Sequence, residues 1–350
     1  MDSEAPAAAP HGARPSPRWR AGPIFAALDL GTNNCRLLLA APERGGGFRV
    51  IDGYSQIVRL GEGLASSGRL ADTAMARAYQ ALSVCAARIE AKRPAGIGCI
   101  ATQACRIAAN GATFLKRIED DFGLSFRVID HEEEAQLSVL GCATLLDHEA
   151  ETALIVDIGG GSTELSWVSP KAVAQRMSQG VLDPPIMAWG SAQLGVVTVA
   201  EESAEPETGR RDWYEAMVAR VMAQLAPLGD QGLRAAFEQG RAHLVGTSGT
   251  VTSLAGVHLG LRRYQRSRVD GLWLDVEQCR AAIASLLAQS WQERAANPCI
   301  GKDRADLVLP GGAILDAVCR LWPAPRIRVA DRGLREGVLM RLIAEHRSRP

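Results

Sequence analysis

Several familiar signatures are absent from this chain. No G-x-x-x-x-G-K-[ST] loop occurs, which removes the commonest class of ATPase. The cysteines are Cys35, Cys85, Cys99, Cys105, Cys142, Cys279, Cys299 and Cys319; none forms a C-x-x-C pair or a zinc-ligand spacing with histidine. They read as buried free thiols in a reducing compartment. No apolar run approaches the roughly 20 residues that span a bilayer. The first 22 residues, rich in Ala, Pro and Arg, lack the continuous apolar stretch of a secretory signal. A cytoplasmic protein is expected. Net charge is missing too: 39 basic residues balance 39 acidic ones. No overall field draws the chain to nucleic acid or a membrane, and neither partner is expected. Any polyanion has to be held by a local patch.

What is present is apolar material, 47% of 350 residues, enough for about two cores. Residues 1–22 read as a disordered arm, 23–147 as a first domain and 148–332 as a second, with a helix over about 333–346 packing back on the first. Strands are predicted at 24–28, 35–41 and 48–51, with a turn at Gly45-Gly46-Gly47. Alanine, methionine and leucine at helical spacing predict a helix over 71–92, ending before Pro94. A strand at 97–101, a helix at 112–122, a strand at 126–129 and a helix over about 132–146 complete the first half. The second half starts with strands at 153–156 and 165–168. A polar surface loop at 200–212, a helix over 212–226 and a strand at 243–245 follow. Helices at 275–289 and 304–320, a strand at 327–329 and a terminal helix close it. This alternation predicts an α/β fold.

One pattern occurs twice. Asp29-Leu30-Gly31-Thr32-Asn33-Asn34 and Asp157-Ile158-Gly159-Gly160-Gly161-Ser162-Thr163-Glu164 lie 157 − 29 = 128 residues apart. At that offset Gly31 falls on Gly159, Asn34 on Ser162 and Leu37 on Leu165. Each copy reads apolar run, Asp, glycine-containing turn, apolar run, which is a β-hairpin. Two such turns face to face would line a cleft with backbone N–H groups suited to phosphate beside a metal ion. A third strand-to-turn sequence, Gly246-Thr247-Ser248-Gly249-Thr250, leads into an apolar helix start; it can wrap phosphate or simply cap a helix. Glu132-Glu133-Glu134 sits at a predicted helix start, where acidic residues commonly just face water, yet phosphoanhydride hydrolysis needs a carboxylate to activate water. Arg262, Arg263, Arg266 and Arg268, with Tyr264 among them, read as a solvated loop or, alternatively, a polyanion track. The charges of Asp331 to Glu336 read as a helix start that satisfies itself.

Taken in order, these motifs resemble the exopolyphosphatase/guanosine pentaphosphate phosphohydrolase (Ppx/GppA) family. The matching stretches are Ala27 to Asn33, Ala101-Thr102 through Arg106, Glu133-Glu134-Ala135, Asp157 to Leu165, Gly246 to Thr250, Leu309-Pro310-Gly311-Gly312 and Asp331 to Leu339. The resemblance implies two ribonuclease-H-like domains of the actin/heat-shock-70/sugar-kinase superfamily around an interdomain cleft. It implies Mg²⁺-dependent hydrolysis of inorganic polyphosphate, of the 5′-phosphate of guanosine pentaphosphate, or both. Glu134, or its neighbour Glu133, takes the role of general base. Asp157 and Glu164 become ligands to Mg²⁺. Gly159, Gly160, Gly161 and Ser162 take the terminal phosphate, with Gly31, Thr32, Asn33 and Asn34 opposite. Gly246, Thr247 and Ser248 join the phosphate site, and Arg106 and Arg304 neutralise phosphate. The family usually has serine where Thr32 and Asn34 stand and an apolar residue at Cys35. Longer members append a helical region with a His-Asp pair that has no counterpart here, so this reads as a short two-domain form, with a homodimer left open. The other readings are a kinase or ATPase of the same superfamily and a non-catalytic phosphate or alarmone sensor.

Overall fold

Each half of the chain opens with the expected hairpin, and each hairpin organises a sheet. The computed structural model describes residues 22–43, 47–229 and 231–348. All but the last residue of the arm expected over 1–22, and the turn residues Gly45 and Gly46, lie outside them. The first sheet contains β1 (Phe25–Leu30), β2 (Asn34–Pro42), β3 (Phe48–Ile57), β4 (Gly96–Ala101) and β5 (Phe126–Val128) in the order β3-β2-β1-β4-β5. β1 pairs antiparallel with β2 and parallel with β4. The second contains β6 (Thr152–Ile158), β7 (Thr163–Val168), β8 (Ile186–Ala192), β9 (Ala242–Thr247), β10 (Trp273–Asp275) and β11 (Arg326–Ala330) in the order β10-β11-β9-β6-β7-β8. Setting aside the edge strand β10, this repeats the first sheet strand for strand, with the same directions. That order is the ribonuclease-H-like one, and the molecule is a two-sheet α/β fold of the actin/heat-shock-70/sugar-kinase type around a cleft.

Strands β1 and β6 are buried on both faces, which explains their near-continuous apolar runs. Alternate residues of β1 feed different cores. Ala26, Leu28 and Leu30 meet Ala78, Leu82 and Cys85 of the helix Asp72–Lys92. Phe25 and Ala27 meet Leu334, Val338, Leu339 and Ile343 of the terminal helix Leu334–Arg347. The helix His131–Cys142 lies between the sheets: Leu137 joins the core under β1, whereas Val139 and Cys142 join Ala153 and Ile155 of β6. It crosses the terminal helix at van der Waals contact. A Cβ on Gly141 would sit 2.0 Å from Gly333 O, and one on Gly337 would sit 2.2 Å from Leu137 O. Glycine at these positions is a condition of the crossing.

The sequence reading missed the helices Gln103–Ile107, Pro170–Ser178 and Gln231–Glu238 and the strand β8. The second had a legible start, since Ser169 caps it and Pro170 occupies its first turn. The expected polar loop at 200–212 is irregular over 203–209, while its ends belong to the helices Val196–Glu202 and Arg210–Leu225. All eight cysteines are buried and free. Among the described residues no helix is long and apolar enough to cross a membrane.

Candidate active site

The two hairpin turns repeat at atomic detail. Gly31 N–H donates to Asn34 O at 2.9 Å, and Gly159 N–H donates to Ser162 O at 2.9 Å. Asp29 pairs with Arg36 across its hairpin, and Asp157 pairs with Glu164 across the other. The turns touch each other. A Cβ on Gly160 would lie 2.9 Å from both Asn33 N and Asn33 Cβ, and one on Gly161 would lie 2.3 Å from Gln103 Oε1. Gly160 is therefore dictated by the approach of the opposite turn, whereas the neighbour of Gly161 is the tip of a flexible side chain. Between the sheets lies a cavity of about 600 Å³ lined by both turns, by Thr247, Ser248, Gly249 and Thr250, and by the segment around Arg304.

Six carboxylates line it; Asp331 and Glu336 hold Arg266, and the other four converge near the turns. Glu134 and Glu164 are buried, while Asp29 and Asp157 are half-buried at strand ends. Asp130 accepts from Glu133 N–H and so caps the helix that delivers Glu134. Arg106 reaches Glu134 from the side at 3.4 Å. Ser138 Oγ donates to Asp157 Oδ2 at 2.9 Å, and Ser191 Oγ donates to Glu164 Oε1 at 3.1 Å. Burial pushes the Asp157 carboxyl up to about 7, with the Glu164 charge adding to it and the Ser138 hydrogen bond opposing. Burial, then the charges of Glu164 and Asp157, hold the Glu134 carboxyl well above the usual carboxylate range. Burial also raises Asp29, against the nearby Arg36 charge.

Such a group fits a divalent cation. Asp29 Oδ1 is buried with no hydrogen-bond partner, and an oxygen-rich donor set suits a hard ion. Ligand atoms of His131, Glu134 and Glu164 lie within 4.8 Å of one another. Asp157 and Glu164, the pair expected from sequence, both line the cavity, and Glu164 also belongs to this cluster. His131 had no sequence signal beyond its place before the acidic triplet. Its ring nitrogens both lie 3.1 Å from Arg106 Nη2, which places the guanidinium over the ring face, and its Nδ1 is 3.1 Å from Ser191 Oγ.

Basic groups share the cavity. The Arg36 side chain makes no hydrogen bond or ion pair among the described residues, and that of Arg304 has only a 3.5 Å contact to Ser253 Oγ. Burial, then the charge of Arg36, presses the Arg304 guanidinium below its ordinary value. Two under-compensated guanidinium groups in one cavity call for an anion. Arg36 was not picked out in the sequence. It stands one hairpin step past the turn, and its equivalent in the second copy is Glu164, so the repeat places opposite charges at matching positions.

Other expected residues fall elsewhere. Glu133 is turned away and ion-paired with Arg127 and Arg341. Gly246 is inside β9, opposite Val156, and does not line the cavity. Thr247 and Ser248 do line it, and Ser248, at φ 133°, caps the helix Gly249–His258 through Thr250 N–H. The arginine cluster divides: Arg266 lines the cavity wall, held by Asp331 and Glu336, beside Tyr264. Glu336 therefore pairs with Arg266, and Arg332 pairs with Asp270.

Comparison with known proteins places this geometry. The Ppx/GppA phosphatase family model matches residues 40–346. An exopolyphosphatase-like protein of known structure is 27% identical, with a TM-score of 0.77 over 91% of this chain and 98% of that one. The Aquifex aeolicus Ppx/GppA family member is 24% identical, with a TM-score of 0.75 over 93% and 99%. An exopolyphosphatase from Cytophaga hutchinsonii is 23% identical, with a TM-score of 0.79 over 92% and 98%. With the family matched over most of its length, this chain belongs to the Ppx/GppA phosphatases.

Proposed function

We propose that the protein hydrolyses the terminal phosphoanhydride of inorganic polyphosphate, the 5′-phosphate of guanosine pentaphosphate, or both, in a Mg²⁺-dependent reaction. The observation that carries this reading is the convergence in one cavity of four carboxylates and two under-compensated arginines. A polyanion accompanied by a divalent cation satisfies both sets of charges.

In the mechanism, the Gly31–Asn34 and Gly159–Ser162 turns hold the terminal phosphoryl group through backbone N–H groups. Arg36 and Arg304 hold the following phosphates. Glu134 takes a proton from the attacking water as the new P–O bond forms; the anhydride P–O bond breaks, and its electron pair leaves on the remaining phosphate chain. An elevated carboxyl suits a base working near neutral pH. Arg106 keeps Glu134 aimed at the cavity. Asp157, Glu164 and Asp29 would hold Mg²⁺, with His131 beside them, and the ion supplies charge neutralisation on the phosphoryl oxygens. We treat residues 23–147 with the terminal helix as one body and 148–332 as the other, working in the cytoplasm.

The test is orthophosphate release with Mg²⁺ from tripolyphosphate, long-chain polyphosphate and guanosine pentaphosphate, against ATP. Release from at least one of the first three, exceeding that from ATP, is expected. Release from ATP alone would overturn the reading in favour of a superfamily ATPase.

A further inference from the structure

Away from the carboxylates, the two halves are bridged a second time. The strap that follows β3 belongs to the first half, yet Arg59 reaches the second half with a two-pronged ion pair. Its Nη1 donates to Asp306 Oδ2 and its Nη2 to Asp306 Oδ1, both at 2.8 Å, and Nη2 also donates to Asp303 O at 3.0 Å. Four residues on, Gly63 N–H donates to Glu201 Oε1 at 2.9 Å.

Each end of these bridges is tied to a phosphate turn or a cavity arginine. Val58 N–H and Arg59 N–H both donate to Asn33 O, and Gly61 N–H donates to Thr32 O. The strap is thus bonded to the first turn. Arg77 steadies it from behind, donating to Val58 O and pairing with Glu62. On the far side Asp306 lies two residues past Arg304, in a segment anchored by the buried Arg294, whose Nε donates to Ala305 O. Glu201 rides on the helix Val196–Glu202, whose first N–H groups donate to Gly159 O and Gly160 O of the second turn. The non-Gly Arg59 adopts φ 47°, a left-handed conformation that carries strain and directs the strap across the gap.

We propose that Arg59 and Asp306 are positioning residues for phosphoanhydride hydrolysis: their ion pair holds the first phosphate turn in register with the segment bearing Arg304. This rests on the reading of the cleft given above. The side chains are 31% and 39% exposed, so the pair is a reversible tie, of the size that solvent-screened pairs contribute.

The experiment uses the full chain with Arg59→Gln, Asp306→Asn and the double variant. Tripolyphosphate hydrolysis with Mg²⁺ and small-angle scattering without substrate are measured for each. Each single variant is expected to raise KM about fivefold, the ratio corresponding to about 1 kcal/mol. The kcat should stay within about twofold, because Glu134 is untouched. The double variant should be no worse than either single one, since both remove the same tie. The scattering envelope of all three should be more open than that of the natural chain. Unchanged KM in both single variants, or effects that multiply in the double variant, would overturn the proposal. So would a fall in kcat at constant KM. If the natural chain releases no phosphate from any of the candidate substrates, the functional reading fails by itself. The scattering then decides the tie: opened variants support it, and unchanged envelopes sink it.

Discussion

Glu134 and His243 show how burial alone assigns different work to single residues. Glu134 is held among like charges beside Arg106, so converting it to an amide keeps the shape and removes the base. Glu134→Gln is expected to bind tripolyphosphate at near-natural affinity by calorimetry while phosphate release falls about 10²–10⁴-fold. Normal turnover would remove the residue from the mechanism. His243 is buried at the end of the second sheet remote from the cleft, stacked edge-on with Trp273, its Nε2 accepting from Asp147 N–H. Burial presses its imidazole down to about 4, below the ordinary value of about 6.5. Between those values the unfolded chain binds a proton that the folded chain refuses. Stability is therefore lost as pH falls from 6.5 toward 4, and this group has no effect above that window. His243→Gln should cost packing at pH 7 but lose about 2 kcal/mol less than the natural chain between pH 7 and 5 by urea unfolding. Equal slopes would show that another group carries the dependence. At this scale the acidic triplet was legible, but its division was not. Adjacent helical positions point about 100° apart, and only packing shows that Glu134 faces the cavity while Glu133 faces Arg127 and Arg341.

Among elements, the duplicated hairpins were the most legible, because a strand-end Asp, a glycine turn and a returning apolar run are all local. The crossing of His131–Cys142 with Leu334–Arg347 was not, since it joins residues nearly 200 apart in sequence. It carries its own test. By helix propensity Gly337→Ala should stabilise by about 1 kcal/mol. The new Cβ would meet Leu137 O at 2.2 Å, and that neighbour is backbone, which cannot swing aside. The sign should reverse, with a net loss of about 1–3 kcal/mol and a melting point several degrees lower. A raised melting point would mean the helices are free to separate. The Gly159-Gly160-Gly161 run teaches the same lesson. Beyond any room it leaves for phosphate oxygens, Gly160 is required by the backbone of Asn33 in the other half.

As a whole, the molecule is two related sheets joined by two crossing helices and tied by the Arg59–Asp306 pair. A substrate that bridges both halves should draw them together. A non-hydrolysable tripolyphosphate analogue with Mg²⁺ is expected to reduce the radius of gyration measured by small-angle scattering, and Mg²⁺ alone to do less. No change with a saturating analogue would mean the cavity binds as a rigid body. The amino-acid sequence by itself determined the α/β class, the internal repeat and the family, because these rest on local periodicity and on short ordered motifs. Only the tertiary structure decided which carboxylate enters the cavity, that Arg36 stands there under-compensated, and that Arg59 reaches Asp306. Each of those depends on contacts between segments distant in the chain, where direction and burial arise from packing that no local pattern records.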